Sequence, residues 1–105
     1  MKKRIKITVL RTEYFEDIAE KYAIPDLGKC PFHSAGQVLY GDGEHVPEGM
    51  CAIAWQEMAP YAQALLRGEL VQPHGTWLRD DGLMVGACPD GVRPVVFLIE
   101  PAEEH

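Results

Sequence analysis

A chain of 105 residues, 47% hydrophobic and 25% charged, is long enough for one domain with its own core, and its net charge of −6 opposes binding to a phosphate backbone, where affinity comes from Lys and Arg releasing counterions. No apolar run approaches the ~20 residues that cross a bilayer, and Met1-Lys2-Lys3-Arg4 is followed by alternating residues rather than the apolar core of a signal peptide, so a cytoplasmic protein with no nucleic-acid and no membrane partner is expected. Three cysteines are an odd number that a fully paired disulfide framework cannot use, which leaves them as free thiols or metal ligands in a reducing compartment.

In chain order, Lys3 to Leu10 predicts a strand, because Ile5, Ile7 and Val9 alternate with Arg4, Lys6 and Thr8 at the period of two that sends one set to each face. Phe15, Ile18, Ala19 and Tyr22 then fall at helical spacing after a Thr12 cap, and Pro25 disfavours a helical Ile24, so a short helix from Glu13 to Ala23 follows. Its charges, with Asp17 and Lys21 at i,i+4, read as a solvated face. Ile24 to Ala35 has no periodicity and two prolines and predicts a loop, which carries Cys30 and His33. Gln37 to Tyr40 is a short strand closed by Gly41-Asp42-Gly43.

The central helix is the strongest helical signal. Cys51, Ala54, Trp55, Met58, Ala62, Leu65 and Leu66 share one side of a 3.6-residue repeat running from Ala52 to Leu66. Pro60 removes the amide that would bond the Gln56 carbonyl, which predicts a kink or a break, on the side away from the stripe. Beyond Gly68, a loop with Pro73, His74 and Asp80-Asp81-Gly82 is anchored by Trp77 and Leu78.

Leu83 to Cys88 and Arg93 to Glu100 then read as a hairpin, with Asp90-Gly91 as a two-residue turn that sets Cys88 opposite Arg93 and Gly86 opposite Val95. Leu83, Val85, Val96 and Leu98 form one face of that hairpin and Met84, Gly86, Val95, Phe97 and Ile99 the other, both apolar. Arg93, held extended by Pro94, is placed to clamp Asp90 across the turn.

Chemistry in this sequence centres on cysteine. Cys51 heads the central helix, where unpaired amides and the positive end of the macrodipole favour a thiolate, making it the candidate nucleophile; a base from His33, His45 or His74 must then reach it, with His33 the candidate. Cys30, Cys51 and Cys88 each sit where an element begins or ends, and such ends can converge. With a histidine they would complete a tetrahedral zinc site, and as three thiolates they would hold an iron–sulfur cluster with an external ligand, although structural zinc sites usually bring ligands in close pairs. The competing reading is that all three are small core hydrophobes, Cys51 packing on Trp55 and Met58. Gly41-Asp42-Gly43 lacks the later glycine and helix start of a dinucleotide fingerprint.

The opening Lys-Arg-Ile-Lys-Ile-Thr-Val-Leu, the Cys30-Pro31 segment leading to Gly36-Gln37, Glu48-Gly49-Met50-Cys51 before a helix with Trp55, and Cys88-Pro89-Asp90-Gly91-Val92-Arg93-Pro94-Val95 resemble a family of small bacterial and archaeal proteins of uncharacterised function. The resemblance implies a shared fold and singles out Cys30, Cys51 and Cys88. It supplies no activity or cofactor.

The expectation is a single α+β domain: a mainly antiparallel sheet with the C-terminal hairpin, and the central helix packed on one face. Two functions fit it. One is a cysteine-centred thiol, redox or metal site around Cys51, Cys30 and Cys88. The other is a non-catalytic homodimeric accessory module with structural cysteines, in which Met84, Val95, Phe97 and Ile99 meet a second subunit unless the first helix covers them.

Overall fold

Strict alternation builds the sheet. The structure, a computed structural model, describes residues 3–69 and 77–103. The described elements are β1 (Lys3–Thr12), α1 (Glu16–Tyr22), β2 (Val38–Gly41), α2 (Ala52–Leu66), β3 (Met84–Ala87) and β4 (Val95–Glu103). The strands form one antiparallel sheet in the order β2-β1-β4-β3, with α2 laid across one face: an α+β fold.

Ile5, Ile7 and Val9 of β1 turn into the core beside Leu39, Met84, Val95, Phe97 and Ile99, and α2 closes over them with Ala54, Trp55, Met58, Ala62 and Leu65. Burying each of the larger side chains contributes roughly 1.5–3 kcal/mol. The helical stripe read from the sequence is therefore the buried one, with Cys51 and Leu66 half-buried at its ends. Helix α2 runs unbroken through Pro60, whose exposed position leaves the Gln56 carbonyl to water.

Several boundaries differ from the sequence reading, each for a local reason. Strand β1 continues to Thr12 by admitting a bulge at Leu10, between Val9 and Arg11, and then its chain stays pinned to the hairpin loop: Glu13 N–H donates to Pro94 O and Phe15 N–H to Val92 O. Those bonds hold residues 13–15 out of helical geometry, so α1 starts only at Glu16, without a Thr12 cap and with no side-chain cap at all. Of its expected apolar stripe only Ala19 is buried; Phe15, Ile18 and Tyr22 are exposed, and α1 packs against no other described helix or strand.

The hairpin register also corrects the expected two-residue turn. Gly86 faces Phe97, Ala87 faces Val96, and Cys88 N–H donates to Val95 O. The cause is Asp90, whose Oδ1 accepts the N–H groups of both Val92 and Arg93, so that residues 89–94 fold into a wider loop. The clamp between Asp90 and Arg93 forms as expected, Arg93 Nε donating to Asp90 Oδ2 at 2.9 Å. A shift of two residues leaves each side chain on its face, so the two apolar faces are those read from the sequence.

Their cover is the reverse of the one on which the expected dimer patch depended. Val95, Phe97, Ile99 and Met84 lie buried under α2, while Val85, Val96 and Leu98 are only half-buried on the far side. The segment Glu100-Pro101-Ala102-Glu103 is the end of β4. Pro101 is tolerated because β3 stops at Met84, opposite Ile99, so that from there on β4 is bonded to β1 alone.

Candidate functional site

The three cysteines, scattered in sequence, line one cleft of about 110 Å³ together with Phe32, Ile53, Ala54, Pro89, Asp90 and Arg93. Cys30 comes from the loop after α1, Cys51 from the start of α2, and Cys88 from the end of β3. The convergence follows from the fold: α2 lies across β3 and β4, which sets its N-terminal end near the hairpin loop. All three are half-buried free thiols packed against the edge of the core. They are neither fully interior hydrophobes nor open surface groups.

Cys51 occupies the N-cap position, with extended backbone and no side-chain cap bond, and its carbonyl accepts the first helical bond from Trp55 N–H at 3.0 Å. It also lines a second, more open apolar groove of about 520 Å³ with Phe32, Met50 and Ile53. Phe32 and Ile53, 67% and 62% exposed, add solvent-facing apolar surface to the same groove as Cys51. Cys88 is fixed more tightly: its Sγ accepts the Val95 N–H at 3.4 Å. At the rim, Arg93 uses Nε for Asp90, and its terminal amino groups have no hydrogen-bond partner among the described residues.

His33 reaches the Cys51 position through the main chain. Its ring is buried, and Nε2 stands 3.3 Å from the Cys51 backbone nitrogen. A backbone N–H can only donate, so Nε2 is the acceptor, the ring proton sits on Nδ1, and Nδ1–H donates to Gln37 Oε1 at 2.8 Å. The imidazole also meets the Phe97 ring edge-on, with centroids 5.4 Å apart. In a capping box a Glu or Gln at the third helical position reaches back to the N-cap amide. Here that position is Ala54, and His33 performs the task from another segment.

The other histidines stand elsewhere or outside the described residues. His45 belongs to an exposed turn, its Nδ1 2.7 Å from Asp42 Oδ2, and that hydrogen bond raises its pKa; the His45 backbone N–H first, then the same side-chain bond and the Glu44 N–H, hold Asp42 well below the usual carboxylate range. It lines no part of the cysteine cleft. His74 and its loop lie outside the described residues.

Among the described residues no three His, Cys, Asp or Glu side chains are grouped as a metal ion requires, so Cys30, Cys51 and Cys88 share a cleft without forming a ligand set there. Nor is any described helix long and apolar enough to cross a membrane. Sequence reasoning identified the cysteines but not Gln37, Phe32 or Ile53. An exposed Phe beside His33 and an Ile two residues after Cys51 were the available signals. Compared with protein-family models, curated proteins and solved structures, the chain matches none, and its function is therefore argued from the cleft.

Proposed function

We propose that this chain is a cytoplasmic thiol–disulfide exchange module whose nucleophile is Cys51. The observation that supports it is the gathering of Cys30, Cys51 and Cys88, from three separate elements, along one small cleft with an apolar approach. In the reaction, the sulfur of Cys51 attacks one sulfur of a substrate disulfide. The S–S bond breaks, the other sulfur leaves as a thiol, and Cys51 is held in a mixed disulfide. Cys30 then attacks the Cys51 sulfur and releases the second thiol. Two electrons pass to the substrate, an intrachain disulfide remains, and an external dithiol reductant returns it to the reduced state. Cys30 is the resolving group because it lies in a loop without regular structure, whereas Cys88 is tied to the Val95 amide.

In this reading His33 is a positioning residue that fixes the start of α2, and Arg93 supplies positive charge at the rim for a carboxylate-bearing thiol compound. The test is oxidised glutathione added to the native chain, followed by peptide mapping. Wild type is expected to yield a Cys30–Cys51 disulfide, and Cys30→Ser to accumulate glutathione on Cys51. Thiols that react only after denaturation, or glutathione carried on Cys88 with Cys51 untouched, would reject the assignment.

A further inference from the structure

No described helix packs on the sheet face turned away from α2. Val38 and Tyr40 are exposed at its β2 edge, and Val85, Val96 and Leu98 are half-exposed toward β3. Helix α1 packs on none of the described strands. Between the apolar edges the central ladder sets Lys6 directly opposite Glu100. These two charges are partly exposed, yet no ion pair joins them to each other or to another described side chain.

The registers make the pattern self-complementary. One row across the sheet reads Val38, Thr8, Leu98, Val85, and the next reads Tyr40, Lys6, Glu100. A twofold axis lying between β1 and β4, along the strands, exchanges the left and right halves of each row when two such faces meet about 10 Å apart. Val38 then lies over Val85, Thr8 over Leu98, and Lys6 over Glu100, each contact being made twice. The geometry points to a homodimer formed through this face, with Lys6 of each copy paired to Glu100 of the other. A different protein would need no such match between the two halves of the face; a second copy does. Arg4, stacked on Tyr40 at 4.0 Å, adds positive charge to the face and offsets part of the repulsion between two chains of net charge −6, whereas Arg11 is already paired with Glu13. This surface is separate from the cysteine cleft, which lies at the far ends of β3 and α2.

The experiment is sedimentation equilibrium of the full chain near ~10 μM, where a micromolar complex is populated. Wild type is expected to sediment with the mass of two chains. Lys6→Glu and Glu100→Lys, each alone, set like charges together at both symmetric contacts and are expected to weaken the dimer by at least about tenfold. Mixing the two variants in equal amounts restores complementary charges at both contacts and is expected to restore the dimer mass. Within each variant chain the residues at positions 6 and 100 remain like-charged, so repair of a single chain cannot account for that recovery. Circular dichroism matching wild type confirms that the variants fold. A wild-type mass of one chain overturns the proposal and leaves the face to a different protein; single variants that stay dimeric, or a mixture that stays monomeric, overturn the axis and with it the proposal.

Discussion

Replacing His33 with Phe separates capping from base catalysis. The variant keeps a ring of similar volume against Phe97 and removes both nitrogens, leaving the Cys51 N–H and the Gln37 Oε1 without their bonds at 3.3 and 2.8 Å. A buried polar group deprived of its partner costs about 1–3 kcal/mol. Cys51 and Gln37 are half-buried, so water recovers part of that, and roughly 1 kcal/mol for each, about 2 kcal/mol together, is the expected loss. With an unfolding entropy near ~2.1 cal/mol/K per residue, a chain of 105 residues loses roughly 9 °C in Tm for that change. Thermal melts and urea titrations measure it, and iodoacetamide labelling of Cys51 in the folded state is followed in parallel. If His33 only holds the helix start, labelling changes by less than about threefold, whereas loss of a general base lowers rates by about 100-fold or more. A variant as stable as wild type that labels about 100-fold more slowly would refute the capping assignment.

Two further outcomes follow from the core and the hairpin loop. Gly86→Ala places a Cβ 3.0 Å from both Sδ and Cε of the buried Met58 and is expected to destabilise by about 1–2 kcal/mol, seen as a lower urea midpoint at unchanged slope. Burial alone would raise the pKa of Asp90, but the Arg93 and Val92 N–H groups and the Arg93 guanidinium outweigh it and hold the carboxyl below its ordinary value. Because the folded value is the lower one, the contribution of Asp90 is complete above about pH 4, its unfolded value, and is lost as pH falls through the folded value. Asp90→Asn should therefore flatten the acid limb of stability, measured by urea titration between about pH 2 and 5; an unchanged limb would show that the clamp contributes nothing.

What could be read from the residues was what depends on period. The stripe of α2 and the alternation of β1 are set by side chains a few positions apart, and the faces of the hairpin survive any even shift in register. What could not be read depends on bonds between distant segments. Helix α1 starts late because Val92 and Pro94 hold its leading residues, and the hairpin loop widens because one carboxylate satisfies two amides. The cysteines were visible as termini of elements, and the antiparallel order explains their meeting. His33 looked like a partner for the Cys51 thiol, yet it meets the same residue at the amide, a distinction that only three-dimensional placement supplies.

The adjacency of β1 and β4 at the middle of the sheet has a consequence for synthesis. Strand β1 leaves the ribosome with Ile5, Ile7 and Val9 on one side, but its principal partner, β4, follows only after α1, β2, α2 and β3 have been translated. At about 5–20 residues per second the nascent chain waits roughly 5–20 s before that ladder can close. During that interval the alternating strand offers open backbone groups to any neighbouring chain. Nascent-chain protection by a holding chaperone, and yields that fall with expression rate, are the cellular signature of such an arrangement.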